Sequence, residues 1–448
     1  MSLRCLLIAV NQVRTPYPVY PLALACLTGA LTDAGHEVEQ FDCLGQSGDI
    51  YQALADTIAD FTPDLIGISL RNLDSEDSTR PESYLDDAVK IMNQVRQSSS
   101  SPVVLGGAAF SLMPERIMDL LQPDWGIAGE GERLLVELAD SLAADCVPVE
   151  KLQRSNLTDT PWKQPAFDPA ICSYYLRWGG ILNVQTKRGC PYRCAYCSYP
   201  LLEGRQIRTR EPEAVVEDVK RLERDFKARY IFFTDSVFND PAGHYLEICE
   251  ALIRNGNKLP WTGYFRPAKM NRKSMDIMKK AGLDAMEVGA DCGCDITLDR
   301  MNKGFTFSEV IAFNELAADF KIPCAHFIMF GGPGENLHTV RQSLDNLDKL
   351  ESSVLMAFNG IRILPRTKIY DEAVNEGLIQ RDQDLLAPVY YFSPEIEAGT
   401  INTLIKQRWG NRADRICPGV SMTDRVAQFH KKGFTGPIWD KIIRMGCK

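Results

Sequence analysis

The chain has 448 residues, 45% hydrophobic and 24% charged, the balance of a globular protein with more than one core. Fifty Lys and Arg against 59 Asp and Glu give a net charge of −9, which disfavours a nucleic-acid partner. No apolar run approaches the ~20 residues of a membrane span.

The opening, MSLRCLLIAVNQ, is too short for a signal-peptide core and no small-residue cleavage site follows, so a cytoplasmic protein is expected. Its 14 cysteines then read as reduced thiols or metal ligands. Cys5, Cys26, Cys249 and Cys324 stand alone in apolar surroundings and are expected as small buried hydrophobes.

Residues 1–145 alternate strand and helix signals. Strands are predicted at RCLLIAV (4–10), HEVEQFD, DLIGISL (64–70), PVVLGGA (102–108) and DWGIAGE (124–130). Helices are predicted over 21–35, 49–61, 83–97, 114–121 and 131–145. That order predicts a doubly wound, Rossmann-like parallel sheet with its ligand outside the strand carboxyl ends. Those ends carry SLRN, LGGAAF and GEGE, so Ser69, Arg71, Asn72, Gly106, Gly107, Gly129, Glu130 and Gly131 are candidate binding residues. The glycines let backbone approach a large ligand.

Residues 146–180 lack a period and read as a linker. A second alternating series then begins at ILNVQTKRGC, with strands predicted at YIFFT, WTGYF, AMEVG, AHFIMF and MAFNGIRI. Helices fall between them, as at 211–226 and 307–320. Six such units over 181–380 predict a partial (β/α)6 TIM-like barrel, whose active site belongs on the strand carboxyl ends. Residues 381–448 are less regular and read as a C-terminal extension that closes the barrel mouth or packs on its side.

TKRGCPYRCAYCSYP, just after the first barrel strand, sets Cys190, Cys194 and Cys197 in the spacing C-x3-C-x2-C. A structural zinc site usually has four ligands, and no His or Cys nearby completes this one. Three thiolates on a [4Fe–4S] cluster leave one iron open. The alternative is a zinc knuckle completed from elsewhere. A second pair, Cys292 and Cys294, is too small for a cluster and reads as a surface turn.

The cysteine loop resembles that of the radical S-adenosylmethionine (SAM) superfamily. The resemblance implies three irons held by the three cysteines, SAM on the fourth, and Tyr196 against the adenine. TDSVFND, EVGADCGCDITLDRMNKGFT and FIMFGGPGEN resemble later strand ends of such barrels. They make Asp235, Glu287 (placed at a strand end), Arg300, Lys303, Gly331 and Gly332 candidates for SAM contact, with a solvated rim ion-pair network as the alternative for Glu287, Arg300 and Lys303. The first domain resembles the cobalamin-binding domain often fused to these barrels, on YPLALACLTGALTDAGHEVEQFD, LGGAAFSLMPERI and GIAGEGERLLVELADSL. The Asp-x-His-x-x-Gly motif of many such domains is missing, and His36 reads as a strand-end residue. Cobalamin would then lack a His ligand, and the loops at 11–20 and 71–77, Arg71 and Asn72 first, would meet its lower face.

The resemblance as a whole implies a cobalamin-dependent radical SAM enzyme. Its expected reaction is C-methylation of a small molecule or lipid precursor through a 5′-deoxyadenosyl radical and methylcobalamin, with a flavodoxin- or ferredoxin-type electron donor. The alternatives are cyclisation or rearrangement without methyl transfer, and a cobalamin- or redox-responsive binding protein. Transfer RNA methylthiolation is disfavoured by the acidic charge.

Overall fold

The computed structural model describes residues 2–157, 162–267 and 270–446. The first domain is one parallel sheet: β1 (Arg4–Ala9), β2 (Glu37–Asp42), β3 (Leu65–Ser69), β4 (Val103–Gly106), β5 (Trp125–Ala128) and β6 (Leu152–Arg154), in the order β2-β1-β3-β4-β5-β6. Leu6, Ile8, Ile66 and Ile68 pack one face of it, and Cys5, Leu7, Leu65 and Val104 the other. Strands buried on both faces need near-continuous apolar runs, which is why β1, β3, β4 and β5 were visible in sequence. The strand order reverses around β1, so a crevice opens beyond Ala9 and Ser69, the ordinary ligand position of such sheets.

Three differences from the sequence reading are informative. The stretch 146–180 is not wholly a linker: it supplies β6 and the helix Pro169–Leu176, while 158–161 lie outside the described residues. Three residues at a sheet edge are too short to show a period. Cys292 and Cys294 are not at the surface: both are buried, with Sγ of Cys294 3.2 Å from Gln342 Oε1. Glu287 does not end its strand, which continues to Asp291 through an irregularity after Val288.

The second domain holds β7 (Ile181–Val184), a short antiparallel ribbon of β8 (Lys187–Arg188) and β9 (Arg208–Thr209), then β10 (Tyr230–Phe233), β11 (Trp261–Phe265), β12 (Met286–Asp291), β13 (Cys324–Phe330) and β14 (Ser353–Asn359). A second ribbon pairs β15 (Ile361–Arg362) with β16 (Tyr390–Tyr391). The curved parallel sheet runs β17-β14-β13-β12-β11-β10-β7, and its seventh strand, β17 (Arg415–Ile416), comes from the C-terminal extension. That extension also fills the barrel at the strand beginnings, where Met422, Val426, Trp439 and Ile442 pack with Ile181, Tyr230, Ala325 and Val354.

The two domains share one core. Leu70, Leu73, Phe110 and Met113 of the first belong to the same buried cluster as Ile328, Phe330 and Ile363 of the second. A buried ion pair, Arg362 Nε to Asp74 at 2.7 Å, crosses the same boundary. No helix is long and apolar enough to cross a membrane, among the described residues.

Candidate active site

The cysteine loop leaves β7 and is braced from behind. Asp235, just after β10, accepts from the Thr186 amide at 2.7 Å, the Thr186 hydroxyl at 2.5 Å and the Lys187 amide at 3.3 Å. Lys187, fully buried, answers with its ammonium 3.0 Å from Asp240 and 3.6 Å from Asp235. Both Asp235 oxygens therefore hold the backbone that enters the loop, three residues before Gly189. Gly189 has φ +92, and a Cβ there would lie 2.1 Å from the Gln206 carbonyl oxygen, so this turn requires glycine. The Cys190 amide donates to Gly204, Cys197 to Cys194 at 3.2 Å, and Ala195 to Met301.

Cys190 is buried and the other two cysteines are partly exposed. Burial, then the neighbouring Cys194, raises the Cys190 thiol pKa. Burial, then Cys194, pushes Cys197 up to about 12, with Lys303 acting the other way. Metal binding by such thiols displaces their protons, because the thiolate is the ligand. Among the described residues no three His, Cys, Asp or Glu side chains are already gathered as a closed metal cage. The donor set of three adjacent thiols fits an iron–sulfur cluster with one open iron.

Around the loop, the Tyr196 hydroxyl donates to Asp291, which also pairs with the Lys303 ammonium. Lys303 is buried, so this is an internal ion pair and not a solvated rim contact. The Arg266 guanidinium lies 4.0 Å from the Tyr192 ring centre. Arg300 packs over the glycine turn, its Cδ 2.6 Å from where a Gly334 Cβ would stand. Gly331 and Gly332 both donate to Glu335.

One cavity of about 460 Å³ lies between the carboxyl ends of the first sheet and the barrel interior. Ser69, Arg71, Gly106, Gly107, Gly129, Glu130 and Gly131 line its first-domain wall. Two of these glycines are obligatory: a Gly107 Cβ (φ +99) would meet the Leu70 carbonyl oxygen at 2.5 Å, and a Gly129 Cβ (φ +95) the Ser155 hydroxyl at 2.2 Å. Glu287 lines the barrel side. Asn72, Tyr196, Asp235, Arg300, Gly331 and Gly332 are not among the lining residues. His36 sits at the opposite end of the sheet, its Nδ1 accepting from the Leu3 amide.

Sequence reasoning missed Asn183, Tyr199 and Arg188 and named Tyr17 only within the candidate loop 11–20; all four line the cavity. Arg188, two residues before Cys190, pairs with Glu130 at 3.1 Å and with Glu132 at 2.5 Å, and Arg208 also pairs with Glu130. This buried network ties the GEGE turn of the first domain to the ribbon that carries the cysteine loop. Its only sequence trace is the coincidence of an acidic turn and a basic ribbon.

A family model described as the B12 binding domain matches residues 9–139, and one described as the radical SAM superfamily matches residues 184–347. The chain carries a B12-binding domain followed by a radical SAM domain. Its cysteine loop opens the second matched region, and the glycine-lined wall lies within the first. Over 436 residues it is 25% identical to the tryptophan 2-C-methyltransferase of Streptomyces laurentii, across 80% of this chain and 72% of that one. The fold is shared with the radical SAM methyltransferase TsrM of Kitasatospora setae. The structure with tryptophan and a SAM analogue superposes with a TM-score of 0.85 at 23% identity, over 99% of this chain and 98% of that one. The structure with cobalamin and a [4Fe–4S] cluster gives 0.83 at 24%, over 100% and 99%.

Proposed function

We propose that this enzyme methylates a carbon of a small molecule, using SAM, a [4Fe–4S] cluster and cobalamin. The observation that carries the reading is that one cavity joins the two matched domains. It runs from the glycine wall of the first sheet into the barrel, past Tyr199 and Leu202 of the helix that follows Cys197. A corrinoid on the glycine wall and a substrate in the barrel would share one room, as transfer between them requires.

Cys190, Cys194 and Cys197 would hold the cluster, with Tyr196 beside the bound SAM. Ser69, Gly106, Gly107, Gly129 and Gly131 would let the corrinoid lie against backbone, and Arg71 would reach its lower face. Bound there, these groups supply a carbon-centred radical and a transferable methyl group. The chain orients them. Asp235 and Lys187 fix the entry to the cysteine loop, Arg188 fixes that loop to the GEGE turn, and the filled barrel floor keeps water from the reacting centre. A flavodoxin- or ferredoxin-type donor would supply electrons, in the cytoplasm.

The test is cofactor and product analysis. Protein purified without oxygen from cells supplied with iron and cobalamin should carry about four irons, four sulfides and one corrinoid per chain. Replacing Cys190, Cys194 and Cys197 by Ala should remove iron and sulfide while sparing the corrinoid. With substrate, S-adenosylhomocysteine should accumulate in step with methylated product. Iron without corrinoid, under ample supply, would sink the reading.

A further inference from the structure

The barrel half of the cavity is built for a different occupant from the first-domain half. Asn183 of β7, Phe232 of β10, Tyr264 of β11, Glu287 of β12 and Phe327 of β13 line it. Asn183 is in register with Phe232, and Tyr264 with Glu287, so these side chains form a middle layer of the interior. Such layers are usually filled with branched apolar residues. Here an amide and a carboxyl face the open space.

Neither is fully accounted for by the protein. Asn183 is 2% exposed and its Oδ1 has no hydrogen-bond partner among the described residues. Glu287 is equally buried; its Oε1 accepts from the Tyr17 hydroxyl at 2.6 Å, and among the described residues no Lys, Arg or His pairs with it. Burying a carboxyl and an unsatisfied amide oxygen costs stability unless a ligand completes them. Glu287 lies four residues before Asp291 on the same strand, which through the irregularity after Val288 is a rise of roughly 10 Å toward the strand beginnings. That depth places it away from the loop that Tyr196 and Asp291 brace.

The walls between these acceptors are aromatic. Tyr199 and Tyr264 line the cavity and leave 42% and 39% of their surfaces uncovered. Among the described lining residues the cations are Arg71 and Arg188. Arg188 is committed to Glu130 and Glu132, and Arg71 stands on the first-domain side. A ligand in the barrel half therefore meets acceptors and ring faces, with Arg71, whose charge reaches the Tyr199 and Tyr264 hydroxyls from the first-domain side, as the one lining cation outside an ion pair among the described residues.

We propose that this half is the substrate pocket, and that its substrate has a planar apolar body and an N–H donor, an ammonium or a ring N–H, seated on Glu287 and Tyr17 with Asn183 as a second acceptor. This rests on the methyl-transfer reading for the room it shares. It moves Glu287 from SAM contact, its sequence-based expectation, to substrate selection. The Tyr17 hydroxyl, besides lining the pocket, donates to one Glu287 carboxyl oxygen and leaves the other to the cavity.

The test is calorimetric titration of the full chain, with its cofactors loaded, using three probes that share one ring system. These are 2-(aminomethyl)naphthalene, 2-methoxynaphthalene and 2-naphthylacetate. The amine should bind at least about tenfold tighter than the ether, a charge-assisted hydrogen bond's effect, and the acid weakest. Glu287→Gln should shrink the amine preference to about threefold or less with iron, sulfide and corrinoid contents unchanged. Tighter binding of the acid, or an amine preference that survives Glu287→Gln, would overturn the proposal. The parent chain's probe order needs no variant, so a misfolded mutant does not rescue it. The two readings fail separately: corrinoid-free protein with the expected order sinks methyl transfer alone, and corrinoid-replete protein without it sinks this pocket alone.

Discussion

The two walls of the cavity differ in where they expose backbone. The first-domain wall exposes backbone at Gly106, Gly107, Gly129 and Gly131, set among side chains such as Leu24, Ile68 and Leu105. The barrel wall is all side chain: Asn183, Phe232, Tyr264, Glu287 and Phe327. A wall of backbone suits a large, invariant ligand, because its shape cannot drift without breaking the turn that makes it. A wall of side chains on rigid strands can be rewritten one residue at a time, which is where specificity for a changing substrate belongs.

The contrast breaks hardest at Gly107. Gly107→Val puts a branched side chain at positive φ and against the Leu70 carbonyl oxygen. We expect a loss of about 4 kcal/mol or more, read by denaturant unfolding, and no corrinoid retained. Next is the seam between the walls. Arg188→Ala takes the Arg188 guanidinium away from both buried Glu132 and buried Glu130. It should cost about 3 kcal/mol and lower corrinoid and iron contents together, since it disconnects both loops.

Glu287→Gln tests the side-chain wall by pH. Burial raises the Glu287 carboxyl from 4.5 to about 7, and the Tyr17 hydroxyl pulls it back only in part. The folded state thus holds this proton more tightly than the unfolded one. Its penalty is absent below about pH 4.5, grows up to about pH 7 and is complete above. The variant, which cannot ionise, should gain up to about 3 kcal/mol on the parent between about pH 5 and pH 8, measured by urea midpoints. The smallest effect belongs to Asn72, outside the lining. Asn72→Ala should change stability by about 0.5 kcal/mol or less and leave corrinoid content as it was.

The backbone wall was legible in the sequence and the side-chain wall was not. Glycine turns at strand ends and a C-x3-C-x2-C loop are local patterns, written within ten residues. The Tyr17–Glu287 contact spans 270 positions, and Arg188 reaches Glu132 across 56. No period or spacing encodes such pairs; only the topology that curls β7 through β14 around one interior brings them together. Asp235 shows the intermediate case. Its place after a barrel strand was readable, yet its work of bracing Thr186 and Lys187 depended on which neighbour that strand acquired.

The barrel floor joins opposite ends of the sequence, for Tyr17 packs in the same cluster as Trp439 and Ile442. During synthesis every strand of the barrel is therefore complete before its floor exists. The packing of Trp439 and Ile442 against Ile181, Tyr230 and Val354 can form only once that segment has been made. A chain shortened by only these last helices would keep its cysteines yet lose the apolar packing beneath the strand beginnings.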